Sequence, residues 1–184
     1  IMDAKGTVIS STQTINGWMG SGFVVPGTGI LLNNEMDDFA TKVGAKNLFG
    51  AVGGEKNLIR PGKRPLSSMS PTIILKNSRP VLALGTPSGT RILTCVAQTI
   101  LNYIEFKKPL FEAVSSTRFH HQWFPNEIRI GSSPFPESTQ KQLINMGHKI
   151  RLKPLGCKVQ AIGLEKNILH GVSDPRGEGL SLGG

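Results

Sequence analysis

Four short stretches of this 184-residue chain carry side chains with chemistry to offer. Residues 33–39, NNEMDDF, crowd Glu35, Asp37 and Asp38 beside two amides. Carboxylates so close repel one another unless a positive charge sits among them, so the run calls for an ammonium, a cation or open solvent. The spacing fails a calcium loop, because no glycine follows and no distal glutamate is placed for it; by chemistry alone a solvated acidic turn is the default. Residues 63–71, KRPLSSMSP, hold the hydroxyls of Ser67 and Ser68 between prolines. Paired hydroxyls with neighbouring N–H groups suit a carboxylate, and a plain turn has the same composition. Residues 85–91, GTPSGTR, run from a strand into a helix. The first N–H groups of a helix point outward with partial positive charge, so this turn can hold an anion or a developing oxyanion. The Gly-Lys-Ser/Thr ending of a nucleotide-phosphate loop is missing. Residues 7–16, finally, put Thr12, Thr14 and Asn16 on one face of a predicted strand, a polar row that either faces solvent or lines a site.

The elements that must position these groups can be read from pattern. The β-branched run 7–15 follows an Ala4-Lys5-Gly6 turn and is predicted to be the second strand of a hairpin. Short strands are predicted at 20–25 and 29–32 around Pro26-Gly27, then a long glycine-rich loop over 33–62, of the kind that forms lids and binding loops. Residues 72–76 and 80–84 read as a hairpin. Ile92, Leu93, Val96, Ala97, Ile100, Leu101 and Ile104 recur at helical spacing and predict a helix from 91 to about 106. Further helices are predicted at 109–116 and at 136–146, the last with Pro136 at its start and Gly147 at its C-cap. Strands at 158–164 and 167–172 close the reading. Residues 1–184 are expected to form one α+β domain, layered as a sandwich.

Composition narrows the classes. A formal net charge of +9 raises nucleic acid as a partner, but the 21 Lys and Arg are scattered. No helix-turn-helix, zinc-finger or RNA-binding signature accompanies them, so no nucleic-acid partner is expected. A basic face toward an acidic partner subunit is the equal alternative. No apolar run approaches the roughly 20 residues of a membrane span, and no membrane insertion by this chain is expected. Cys95 and Cys157 permit a disulfide without requiring one; Cys95 lies in the apolar helical pattern and reads as a buried thiol. The four histidines, including His120 and His121, show no metal-ligand spacing; neither a metal nor a cofactor is expected. The opening IMDAKGTVIS lacks the pattern of a signal peptide and reads as the middle of a strand, as expected of a chain cut from something longer.

Taken in order, TQTIN, GSGFVVPGTGILLNNEMDDF, RPLSSMSPTI, GTPSGTR, RFHHQW and SDPR resemble the γ-glutamyltransferases along essentially the whole chain. The resemblance implies an N-terminal-nucleophile hydrolase with an αββα sandwich, made as a precursor that cleaves itself into a heterodimer. This chain would be the small catalytic subunit. Its nucleophile, an N-terminal threonine served by its own α-amine or a nearby water, would lie a few residues before Ile1. The large subunit would complete the sandwich and bring an arginine for the substrate α-carboxylate. The implied activity is cleavage of γ-glutamyl amides such as glutathione and transfer of the group to water, an amino acid or a peptide. By position, Thr14 matches the partner of the nucleophile hydroxyl. Asn16, Glu35 and Asp38 match the groups around the substrate α-amine, Ser67 and Ser68 those at its α-carboxylate, and Ser88 and Gly89 the oxyanion donors. Two departures stand out. Ser88 replaces a common glycine, and a positive φ there would cost about 1–2 kcal/mol, so Ser88→Gly is expected to be neutral or mildly activating. Phe49 stands in the lid-like loop where a tyrosine could hydrogen-bond. A relative acting on a glutaryl-cephalosporin is the alternative; that substrate has no α-amine, so Asn16, Glu35 and Asp38 argue against it. A non-catalytic basic binding module is the third reading. Bacterial relatives imply a periplasmic or secreted location.

Overall fold

The computed structural model describes residues 1–131, 133–166 and 168–183. The chain divides into two compact units, one of Ile1–Thr12 with Ser68–Gly184 and one of Gln13–Ser67. The first is a sheet unit and the second a loop unit.

In the sheet unit, β1 (Thr72–Lys76) and β2 (Arg79–Gly85) pair antiparallel with Lys76 opposite Arg79. The two-residue turn between them is Asn77-Ser78, with φ of 50° and 63°. Paired left-handed residues give the turn whose twist suits a hairpin. Helix α1 (Ile92–Ile100) follows and runs on as a π-helical turn through Leu101–Glu105, and α2 is Leu110–Ser115. β3 (Phe119–His120) and β4 (Ile128–Ile130) come next, then α3 (Glu137–Asn145) and β5 (Ile150–Leu152). β6 (Gln160–Glu165) and β7 (Ile168–Ser173) complete the unit. The larger sheet has the order β1-β2-β6-β7, antiparallel throughout. Leu82 and Leu84 of β2 and Ala161 of β6 join Val159, Ile92, Val96, Leu110 and Val114 in one buried cluster, so α1 and α2 cover one face of this sheet. On β1, Ile73 and Leu75 remain exposed. The small sheet β3-β4-β5 pairs β3 with β4 antiparallel and β4 with β5 parallel, with α3 as the crossover that parallel neighbours require.

The hairpin, the three helices and the final strand pair lie where pattern puts them, to within a residue or two; Asn167, at the predicted start of the last strand, lies outside the described residues. The small sheet is a finding, because strands of two or three residues are too short for a period-two signal. Two expectations are corrected. Residues 7–15 are not one continuous strand: the hairpin over the Ala4-Lys5-Gly6 turn pairs only its start, through the Met2–Val8 bridge with Ile9 N on Ile1 O at 2.9 Å and Asp3 N on Thr7 O at 3.0 Å, and Asn16 turns left-handed at φ 73°. A β-branched run becomes a strand only where its N–H and C=O groups find a ladder. Cys95, moreover, is not a thiol. It is bonded to Cys157, with Cα atoms 6.6 Å apart across a sequence separation of 62 residues. Helical periodicity reports that Cys95 is buried and says nothing of the segment that crosses it.

The loop unit is held differently. Val25 N donates to Ile30 O at 2.9 Å and Leu32 N to Phe23 O at 2.9 Å, a minimal hairpin around Pro26-Gly27. Single-turn 3₁₀ helices occupy Glu35–Asp38 and Glu55–Asn57. Bridges join Ala40 to Leu58 and Lys46 to Val52. Gly53 is needed at its position, because an added Cβ would stand 2.2 Å from the Ala40 Cβ. Among the described residues of the whole chain, no helix is long and apolar enough to cross a membrane.

Candidate active site

Asparagine side chains take the place of regular structure around the acidic run. Asn16 N donates to Thr14 Oγ1 at 2.7 Å, and Asn16 Nδ2 to the Asn34 carbonyl at 3.0 Å. Asn34 Oδ1 receives Gly17 N at 2.8 Å. These bonds bring the end of the TQTIN stretch against NNEMDDF. Asn57 Nδ2 donates to the Asp38 carbonyl at 2.7 Å, and Asn57 Oδ1 accepts from Leu66 N at 3.0 Å. Asn47 Nδ2 lies 3.4 Å from Asp38 Oδ1, while Asn47 Oδ1 caps the N–H groups of Phe49 and Ala51 at 3.0 and 2.9 Å. Thr14, Asn16, Glu35, Asp38 and Phe49 therefore belong to one connected group. Ser67 ends the loop unit, and Ser68 opens the second stretch of the sheet unit.

The charge state of this group follows from its surroundings. Burial, and then the charges of Glu35 and Asp37, push Asp38 up to about 6. Burial also raises Glu35. Among the described residues, neither carboxylate has a Lys or Arg partner within ion-pair distance; the loop unit's ion pair is Arg60–Glu55. Such a group can receive an ammonium from outside, with Asp38 as the charged acceptor and neutral amides around it.

The second feature is the strand-to-helix turn of the sheet unit. Ser88 sits at φ 119°, ψ 31° and Gly89 at φ 56°, and Gly89–Arg91 form one 3₁₀ turn that feeds α1. The N–H groups of Ser88 and Gly89 precede the first bond of this turn, Arg91 N to Ser88 O at 3.2 Å, and N–H groups at such a start can meet an anion. Burial, and then the charge of Arg129, hold Arg91 below the usual arginine range. Its Nε donates to Ser88 Oγ at 2.9 Å and to Leu155 O at 2.6 Å.

The sequence profile of the family described as Gamma-glutamyltranspeptidase matches residues 1–184. The chain belongs to that family. Among curated γ-glutamyltranspeptidase relatives, the glutathione hydrolase proenzyme of Pseudomonas sp. strain A14 is 43% identical over all of this chain and 34% of its own length. That of Escherichia coli is 44% identical over 96% of this chain and 30% of its own. A crystal structure of a Helicobacter pylori γ-glutamyltranspeptidase mutant superimposes with a TM-score of 0.93 at 46% identity, covering 96% of this chain and 97% of that one. This chain thus spans about a third of the curated relatives' length, and it has the α+β, N-terminal-nucleophile hydrolase fold of the γ-glutamyltranspeptidases.

Several residues of this γ-glutamyltranspeptidase chain escaped sequence reasoning. Asn47 and Asn57 brace the acidic group, and their only signal is the recurrence of asparagine in a glycine-rich loop. Asp174, in the SDPR segment, is a buried hub. It pairs with the buried guanidinium of Arg118 and with Arg176 at 3.1 Å, and it accepts Val159 N at 3.0 Å. Burial alone would raise the Asp174 carboxyl, but the N–H of Arg176 and the guanidinium of Arg118 hold it below the ordinary range.

Proposed function

We propose that the complete protein cleaves γ-glutamyl amides such as glutathione and passes the γ-glutamyl group to water, an amino acid or a peptide, with this chain as its small catalytic subunit. An N-terminal threonine upstream of Ile1 attacks the γ-carbonyl, with Thr14 oriented to its hydroxyl. The negative charge that forms on the carbonyl oxygen is received by the N–H groups of Ser88 and Gly89. Collapse of that intermediate expels the amine and leaves a γ-glutamyl ester on the threonine, which water or an acceptor amine then attacks. Asn16, Glu35 and Asp38 hold the substrate α-ammonium, Ser67 and Ser68 its α-carboxylate, and Phe49 closes over the pocket by packing. The remaining two thirds of the protein supply the large subunit and the second grip on the α-carboxylate.

The observation that carries this reading is the carboxylate group of the loop unit, crowded, partly buried and, among the described residues, with neither Glu35 nor Asp38 in ion-pair distance of a Lys or Arg, in a chain of this family. It favours a substrate with an α-amine over a glutaryl one. The Cys95–Cys157 disulfide fits an oxidising compartment, so the protein is exported, to the periplasm or beyond.

The test compares γ-glutamyl-p-nitroanilide with glutaryl-p-nitroanilide on the complete two-chain protein. Release of p-nitroaniline from the first and little from the second is expected. Equal rates, or none from the first, would overturn the assignment. Residues 1–184 alone should cleave neither.

A further inference from the structure

We propose that the Ser88 hydroxyl is a positioning group that fastens the oxyanion turn to the loop around Leu155, so that the serine at this place is an asset to the chemistry. The inference rests on the assignment of Ser88 and Gly89 as oxyanion donors.

At φ 119° Ser88 occupies a region that a side chain enters at a cost, and a strained turn relaxes unless its surroundings hold it. Here the side chain itself does the holding. Ser88 Oγ donates to the Leu155 carbonyl at 2.5 Å, 67 residues away. Arg91 Nε bridges the same two oxygens, at 2.9 Å from Ser88 Oγ and 2.6 Å from Leu155 O. One carbonyl thus takes two donors from a single turn of chain.

The anchor is itself fixed at both ends of that turn. Lys158 N donates to Thr86 Oγ1 at 2.8 Å, just before it. Cys157 is bonded to Cys95 on α1, just after it, and Leu155, Cys95 and Cys157 form a buried cluster of their own. Between them stands Gly156, at φ 77°, where an added Cβ would lie 2.9 Å from Ser88 Oγ. The loop therefore leaves a space that the hydroxyl fills. On strain alone, Ser88→Gly would be neutral or activating. The fastening reverses that expectation, because glycine frees the backbone and removes the bond that aims its N–H.

The complete two-chain enzyme is assayed with γ-glutamyl-p-nitroanilide as Ser88→Ala, Ser88→Gly and Gly156→Ala. Losing one part-buried hydrogen bond that acts on transition-state geometry should lower kcat about five- to tenfold in both Ser88 variants, with KM within about twofold. Gly156→Ala, which crowds the hydroxyl without removing it, should lower kcat in the wild-type background and much less in Ser88→Gly. A purely structural serine would lower the melting temperature and leave kcat and this coupling unchanged. Retained kcat in Ser88→Ala, a Ser88→Gly enzyme at or above wild-type speed, or equal effects of Gly156→Ala in both backgrounds would each overturn the proposal. A wild-type enzyme with no turnover would instead sink the oxyanion assignment beneath it.

Discussion

Asp38 in the loop unit and Asp174 in the sheet unit are both removed from full solvent, and their surroundings push them in opposite directions. Asp174 meets two guanidinium groups and backbone N–H donors, and is held below the ordinary carboxylate range. Asp38 meets two other carboxylates and is raised to about 6. Asp174 is completed by partners inside the fold, whereas Asp38 is left without one, as the proposed binding role requires. The signs of their pH dependence follow. Stability from Asp174 is full above the unfolded value of 3.8 and is lost as pH falls through its lower folded value. Stability linked to Asp38 is full below 3.8 and is lost as pH rises through about 6, since ionisation there is unfavourable until an ammonium arrives.

The contrast breaks first at Asp174. Asp174→Ala strands the buried Arg118 charge and should cost about 3–5 kcal/mol of stability, read by denaturant unfolding of the complete protein. A loss under about 1 kcal/mol would show the pair to be dispensable. Next comes the turn that opens α1. Gly89→Val forces a β-branched residue into φ 56° and should lower kcat a hundredfold or more, about 2.7–4 kcal/mol, with KM little changed. Unchanged kcat would move the oxyanion elsewhere.

Asp38→Ala should do the reverse of Asp174→Ala. Loss of the charged acceptor is expected to raise KM by an amount equivalent to about 2–4 kcal/mol, with the thermal midpoint nearly unmoved. A variant with wild-type kinetics would take Asp38 out of the site. Asn57→Ala probes the bracing alone: about 1–2 kcal/mol of local stability should vanish, seen as faster amide exchange confined to residues 13–67. Exchange that quickened equally in the sheet unit would deny the separate bracing. The gentlest test is pH. Since only the ionised carboxylate attracts an ammonium, kcat/KM should fall below about 6, and Asp38→Asn should flatten that limb. A limb that survived in Asp38→Asn would belong to another group.

The two units were also unequally legible in the sequence. The α1 face from Ile92 to Ile104 and the β1–β2 hairpin announce themselves because periodic burial leaves a periodic pattern. The loop unit has almost no buried core beyond Phe39 and Ala40. Its order comes from single amides such as Asn34 and Asn57 meeting backbone groups many residues away, and such pairings leave no period to read. The acidic run is visible as a repulsive cluster, but a use for it is not; only resemblance to a family proposes ammonium binding for what composition reads as a solvated turn. Ser88 was read from its backbone cost, and the partner that offsets it lies 67 residues along the chain.

One feature of the larger sheet reaches beyond the site. β1 lies at its margin, and the Ile73 and Leu75 side chains stand exposed there. That combination invites a stray strand from another molecule and, eventually, aggregates. The strand is only five residues long and ends in Lys76 opposite Arg79 of β2, past a register shift in its pairing at Ile74 and Leu75. A short edge ending in positive charge gives an intruder no long row of N–H and C=O groups to copy. The chain can thus expose apolar surface while it discourages polymerisation with its own kind.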